Sequence, residues 1–398
     1  MVAYRRGAGL LVGLVGAIAL ALVLGGRRES RASPYVPSDD STVLERLPGD
    51  SDLGRARARL DEDPRDVARA ADYARKNIEA ARRQSDPRFL GHAQAALAPW
   101  WNDAAAPTEI LLLRATIKQS LHDFDAALAD LDALTVRAPD DPQAWLTRSV
   151  VLAVRGRYDD ARRSCAPLAR LAEGWVFATC MASVDSQNGA ARDAYRRLGA
   201  ALGPRGGPTD PAGRAWALST LGEVAVRAGD DVGAELAYIR ALSADPSDVY
   251  ARAALADLLL DLGRPGEVVT LLAGKENDDG LLLRLAIAES IVRAKTAEEH
   301  ALALRARHDA SRARGDVVHR REQARFELAF GSARAAKELA RANWDVQKEA
   351  WDARVLLEAA LAAGDPDSAR PATEFLAAAK TEEPRLTALA SRIARGGG

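Results

Sequence analysis

Little in this chain could build anything but packed helices. Two cysteines in 398 residues exclude a disulfide-framework fold and a zinc module with several cysteine ligands. Aromatics are 5% of the chain, and valine, isoleucine and threonine are thin beside alanine, so strand-forming residues are scarce. Alanine and arginine, which favour helices, are abundant, and the expected class is all-α. An excess of either charge is also missing. With 55 basic against 56 acidic residues there is no electrostatic reason to expect nucleic acid or an anionic surface as partner. Only seven of the basic residues are lysine, which suggests GC-rich coding more than a mechanism. An apolar content of 48% excludes a fully disordered chain. At about 100–200 residues per globular domain, the length would allow two to four domains.

Long apolar runs are absent with one exception. Residues 7–26, GAGLLVGLVGAIALALVLGG, carry no charge, and arginines flank them at Arg5, Arg6, Arg27, Arg28 and Arg31. At 1.5 Å per residue this run spans about 30 Å, the hydrocarbon thickness of a bilayer. The expectation is an uncleaved single-span anchor in the inner membrane. Signal cleavage near Val23 and Gly25, releasing the chain to the periplasm, is the alternative. Arginines on both flanks leave the orientation open to a positive-inside count; the default for such an anchor puts the body outside the cytoplasm. Residues 27–52, rich in Ser, Pro, Asp and Arg, read as a polar linker.

The rest of the chain repeats itself. In 215–248, Leu218, Leu221, Gly222 and Ala225 share one helical face; Gly229 and Asp230 interrupt it; Ala234, Tyr238 and Ala241 share a second face; and Pro246 ends the unit. The next unit repeats this with Leu255, Ala256, Leu259 and Gly263. Upstream, Leu111, Ala115, Phe124, Ala127, Leu131 and Pro139 match, then Trp145, Ser149, Leu152, Gly156, Tyr158 and Ala161. Small residues recur because two helices in close contact leave no room for a larger side chain. Unit starts at 108, 142, 175, 215 and 249 give steps of 34, 33, 40 and 34, and the long step holds the Gly/Pro segment 203–213.

This pattern resembles the tetratricopeptide repeat. The likeness is specific over 108–274 and 349–379 and extends elsewhere by continuity, for about nine helical pairs over 53–394. The strings DPRFLGHAQAALAPWW and LLLRATIKQSLHDFDAALADLDAL are similar to bacterial exported tetratricopeptide proteins of unassigned role. The resemblance implies a right-handed α-α superhelical solenoid. Its clearest repeats are 108–141, 142–174, 175–214, 215–248, 249–278 and 349–383, with 395–398 as a flexible tail. A solenoid buries its core between neighbours, so one long array replaces the several globular domains that length allows.

Cys165 falls on the second helix of one unit and Cys180 on the first helix of the next, each seven to eight residues from the turn near 172–174. Antiparallel packing sets them at similar height, and a Cys165–Cys180 disulfide is expected, with two unrelated buried thiols as the alternative. The short loop it closes is worth about 3 kcal/mol in the chain-entropy model, and the bond requires an oxidising compartment.

No constellation for catalysis or metal binding is legible. His92, His122, His300, His308 and His319 form no HExxH or neighbouring ligand set, and no GxSxG, Walker loop or dinucleotide fingerprint is present. Neither an enzyme nor a cofactor or metal is expected. Trp145, Trp216 and Trp351 sit at repeat-helix starts, where a ring fills the space between neighbours. Trp100 and Trp101 are adjacent and cannot share a helix face, so one ring is expected to pack and the other to stand exposed.

The resemblance further implies that first helices line a concave groove where a protein or peptide partner lies. The positions carried over are Glu109, Leu112, Thr116 and Gln119; Gln143, Leu146 and Val150; Val176, Thr179 and Ser183; Trp216, Ser219 and Glu223; Tyr250, Ala253 and Asp257. The surface is mixed and mildly acidic, and lacks the Lys/Asn/Arg set with which chaperone-binding members hold a terminal carboxylate. Arg114 and Arg148, 34 residues apart, stand where the repeat usually has leucine. A buried guanidinium needs paired acceptors. Either both arginines reach solvent, or they stack beside a carboxylate or an anionic ligand; the site expectation is that they help hold an acidic partner segment. The functional expectation is a membrane-anchored interaction scaffold. A structural assembly factor using the convex face or the ends is the alternative.

Overall fold

The computed structural model describes residues 51–84, 86–203, 206–313 and 318–395. The apolar run 7–26, nearly all of the linker and residues 396–398 of the tail lie outside the described residues. Among those described, all regular structure is helical, and no helix is long and apolar enough to cross a membrane.

Helices start where an aspartate can cap them. Asp141 accepts from the backbone N–H of Gln143 and Ala144, Asp210 from Gly213, Asp230 from Gly233, Asp248 from Ala251 and Asp278 from Leu281. Each carboxylate satisfies donors that a first helical turn leaves unpaired, worth about 1 kcal/mol per cap. Pro142, Pro211 and Pro265 occupy first-turn positions, where the missing N–H costs nothing.

The first elements are α1 (Ser51–Glu62), α2 (Val67–Gln84) and α3 (Arg88–Ala96). The clearest hairpins follow: α4 (Thr108–Ser120) with α5 (Phe124–Arg137), and α6 (Pro142–Val154) with α7 (Tyr158–Cys165), the latter followed by the short α8 (Leu168–Leu171). Next come α9 (Gly174–Ser186) with α10 (Ala191–Ala201), α11 (Pro211–Ala228) with α12 (Asp231–Ala244), and α13 (Val249–Asp261) with α14 (Pro265–Leu272). The array continues through α15 (Asp279–Val292) and α16 (Ala297–Ala313), then α17 (Arg320–Phe330) and α18 (Ala333–Trp344). It ends in α19 (Ala350–Ala362), α20 (Arg370–Ala378) and α21 (Pro384–Ala394). Hairpin partners pack on each other and most also pack on the next hairpin, the connectivity of an α-solenoid.

Several hairpin turns place a residue in the left-handed conformation, though the α17–α18 turn at Gly331 does not. Gly156, Gly189, Gly229, Gly263 and Gly364 supply it with φ between 64° and 81°. His122 (φ 60°) and Arg293 (φ 57°) adopt the same conformation without glycine's freedom. Close helix contact is equally specific. A Cβ on Gly222 of α11 would lie 2.6 Å from the Tyr238 ring of α12. The core is segmented along the array. One cluster runs from Ala56 to Val184 across the first hairpins, and others form around Leu218, Leu255, Phe326 and Leu356. Cys165, ending α7, is bonded to Cys180 in α9, with Cα atoms 5.8 Å apart.

Candidate partner-binding groove

First helices α4, α6, α9, α11 and α13 repeat one face along the array, and the expected lining divides into open and buried positions. Glu109 is exposed and accepts from Arg75 at 2.6 Å. Leu112, Thr116, Gln119 and Leu146 are half-buried, and Thr116 Oγ1 donates to the Leu112 carbonyl. Val150 is 39% exposed and Tyr250 58%. The Tyr250 hydroxyl donates to Glu223, which also holds Arg227 at 3.0 Å. Trp216 is half-buried, its ring centroid 5.8 Å from that of Trp175. Ser219 and Thr179 are buried, and Ser219 Oγ has no hydrogen-bond partner.

Beside the buried Ser219 and Thr179, three charged positions meet partners within the chain. Arg114 is buried inside the array. Its Nε donates to Asp130 at 2.8 Å, Nη2 to the other Asp130 oxygen, and Nη1 to the carbonyls of Trp100, Trp101 and Asp103 at 2.6–3.0 Å. Lys118 completes the cluster, 2.7 Å from Asp130. The acid beside Arg114 is thus its own chain, supplied by the second helix of the same hairpin. Arg148 repeats the geometry one unit on: Nη1 donates to Ser164, the residue 34 positions after Asp130, and Nε to Asp132 at 2.7 Å. Asp257 is likewise enclosed, accepting from Arg284 and Arg325 at 2.6 Å each. Burial raises its pKa, but the two guanidiniums more than reverse this and hold the carboxyl below its ordinary value. These three residues join units of the array instead of facing a ligand.

Trp100 and Trp101 are both half-buried against the first core cluster, so neither stands out as an exposed ring. Lys118 Nζ lies 5.7 Å from the Trp101 ring centroid. His308 packs edge-on against Phe326 and is buried, which lowers its pKa, while His300 Nδ1 meets Glu289 at 2.7 Å. Among the described residues no three His, Cys, Asp or Glu side chains come together as a metal site.

The feature that periodicity did not reveal is a closure. The C-terminal helices return to the turn edge of the middle hairpins. The Lys348 N–H donates to the Val154 carbonyl at 2.7 Å, and Arg155 donates to the Val346 carbonyl at 2.7 Å. Phe375 of α20 lies against Gly156 and has its centroid 5.8 Å from the Tyr158 ring. The Arg192 N–H donates to Glu382 at 3.1 Å. Arg385 of α21 forks onto Asp231 at 2.9 and 3.0 Å, and Arg354 of α19 forks onto Asp261 at 2.6 and 2.7 Å. A small cleft along this seam is lined by Tyr158, Arg227, Glu349, Phe375 and Glu383. Burial raises the Glu383 pKa, against the opposing pull of Arg227, Arg354 and Arg385.

No family model and no curated protein matches the chain. Among solved structures it is similar to a tetratricopeptide repeat protein from Parabacteroides merdae, at 15% identity and TM-score 0.37, over 63% of this chain and 98% of that one. It is also similar to the APC/C hetero-tetramer Cut9-Hcn1, at 11% identity and TM-score 0.40, over 87% of this chain and 89% of that one. Yeast Tom70 aligns at 10% identity and TM-score 0.36, over 86% and 91% of the two chains. The solenoid assignment rests on the hairpins described above.

Proposed function

We propose that the chain is a non-enzymatic interaction scaffold, anchored by residues 7–26, with its solenoid on the extracytoplasmic side of the inner membrane. The observation that carries the interaction reading is a set of open side chains on first helices, Glu109 on α4, Gln143 and Val150 on α6 and Tyr250 on α13, with half-buried Val176, Ser183, Trp216 and Glu223 on α9 and α11 between them. Such a mixed apolar and polar strip suits an extended or helical peptide, bound without covalent chemistry. The Cys165–Cys180 bond supports an oxidising compartment, since such bonds are rare where thiols are kept reduced. A photo-crosslinking residue at position 250 in native membranes should give a discrete protein adduct that Glu223→Lys abolishes. Absence of any adduct there would end the groove reading. Protease digestion of intact spheroplasts should degrade the solenoid; a protected solenoid would overturn the topology.

A second reading has its own observation. Val232, Leu236 and Ile239 are 80%, 57% and 46% exposed at i, i+4 and i+7 on α12, a second helix. This stripe favours assembly through the second-helix face. Adducts arising from position 236 and none from 250 would select it.

A further inference from the structure

The closing contacts differ in kind from those that build the array. Neighbouring hairpins pack along whole helix faces. The return of the C-terminal helices is made by turns, side-chain tips and a small apolar contact in which Ala379, with Val346 and Phe375 beside it, joins the first core cluster. Its parts include two arginine forks, on Asp231 and Asp261, one aromatic ring against Gly156 and Tyr158, and hydrogen bonds to or from backbone atoms at Val154, Val346, Lys348 and Arg192. The Arg385–Asp231 side chains are 23% and 32% exposed, so water and salt reach them, while the Arg354–Asp261 pair is more enclosed at 17% and 13%. The elements of a docking site are all on the middle hairpins. Two carboxylates at helix ends present planar acceptors that match guanidinium forks. Gly156 opens a seat for a ring, since a Cβ there would lie 2.7 Å from Phe375.

We propose that this turn edge is a docking surface for a helical segment bearing an arginine and an aromatic side chain. The chain's own α20–α21 segment occupies it in cis, and a partner must displace that segment to bind. The occupant defines the ligand chemistry. Phe375, Glu382 and Arg385 fall within ten residues of each other and supply the ring, the backbone contact and the fork. Arg354 adds the second fork from α19. This inference concerns the turn edge and stands apart from the groove strip at Val150 and Tyr250, so either can fail alone.

Two amides report on the closure directly. The N–H groups of Lys348 and Arg192 donate across the seam, to Val154 and Glu382. In the full chain, Arg354→Gln with Arg385→Gln should speed hydrogen exchange at both amides by about tenfold or more, the factor that 1.4 kcal/mol represents. Exchange in α11 and α12 should stay unchanged. A labelled synthetic peptide of residues 370–395 should then bind the double variant and not the wild-type chain. Unchanged exchange at Lys348 and Arg192 overturns the inference. So does acceleration spread through α11 and α12, which would make the arginines supports of the fold. Open amides without peptide binding would reduce the edge to a brace and also overturn it. Should the variant fail to fold, the wild-type chain carries the test. Raising salt from about 0.05 M to about 1 M shrinks the screening length to about 3 Å, and should speed Lys348 and Arg192 exchange selectively. Salt-independent exchange refutes a closure held by arginine–carboxylate pairs.

Discussion

Replacing Arg114 by methionine separates a structural arginine from a ligand-reading one. Methionine keeps most of the apolar stem and removes five hydrogen bonds, two to Asp130 and one each to the carbonyls of Trp100, Trp101 and Asp103. Asp130, 5% exposed, would be left with Lys118 as its cationic partner. Removing one member of a buried pair costs about 3–5 kcal/mol, and the surviving lysine argues for the lower end, near 3 kcal/mol. In a repeat array such a loss is felt locally, in the hairpin and its neighbours. Hydrogen exchange in α4, α5 and the 98–106 segment should therefore accelerate by roughly a hundredfold, while exchange in α15 stays as it was. Adding Asp130→Leu removes the stranded carboxylate and should return part of the loss, about 1 kcal/mol or more. Exchange within threefold of wild type in Arg114→Met would refute the cluster as a stabilising element. If Arg114 instead read a ligand, partner capture would fall with local exchange unchanged.

Three further outcomes follow from particular residues. Burial, aided by the Arg321 and His319 charges, lowers the His122 pKa from 6.5 to about 4, so between those values the unfolded chain binds a proton that the folded chain refuses; stability is fully present above pH 6.5 and lost as pH falls toward 4. The loss at pH 5 is about 2 kcal/mol, and His122→Asn, which tolerates the left-handed turn, should flatten that part of the urea-midpoint profile; an identical pH profile counts against it. Gly222→Ala should lower the urea midpoint through about 1–3 kcal/mol of overpacking against Tyr238, with relief from Tyr238→Leu but not from Tyr238→Phe, because ring carbons make the contact. Arg293→Gly relieves a strained left-handed residue at an exposed turn and should raise stability by about 0.5–1 kcal/mol, read as a higher thermal midpoint; no rise would mean the Arg293 side chain makes a compensating contact.

The periodic part of the fold was legible because the same physical demand recurs. Asp141, Asp210, Asp230 and Asp248 cap helices after turns, and Gly156, Gly229 and Gly263 mark the left-handed position between paired helices. Gly222 beside Tyr238 is the close contact that the small-residue pattern announced. Position in a repeat says which face a residue occupies and little about what it meets there. Arg114 and Asp257 stood at lining positions and are buried, because partners 16 and 27 residues away in sequence enclose them. A spacing of 16 between Arg114 and Asp130, repeated as Arg148 and Ser164, is a signal that a within-hairpin search could have found. The closure left no such signal. Asp231 with Arg385 and Asp261 with Arg354 are 154 and 93 residues apart, joined by superhelical curvature that no local pattern encodes.

The scarcity of lysine acquires a structural meaning at these junctions. Seven lysines leave arginine to make the contacts between units, and the geometry shows what the exchange would lose. Arg354 presents two nitrogens to the two oxygens of Asp261 while its guanidinium plane lies 4.3 Å from the Trp351 ring centroid. Arg325 does the same with the two oxygens of Asp257, its guanidinium carbon also 4.3 Å from the Trp351 ring centroid. An ammonium can satisfy one acceptor or sit over the ring, but it has no planar fork with which to do both. Abundance alone does not explain why Arg284, Arg325, Arg354 and Arg385 each meet a carboxylate on another hairpin. In an array whose apolar contacts run mainly between adjacent hairpins, the forks of Arg325, Arg354 and Arg385 tie together hairpins far apart in the sequence, each with a planar pair of donors that only arginine supplies.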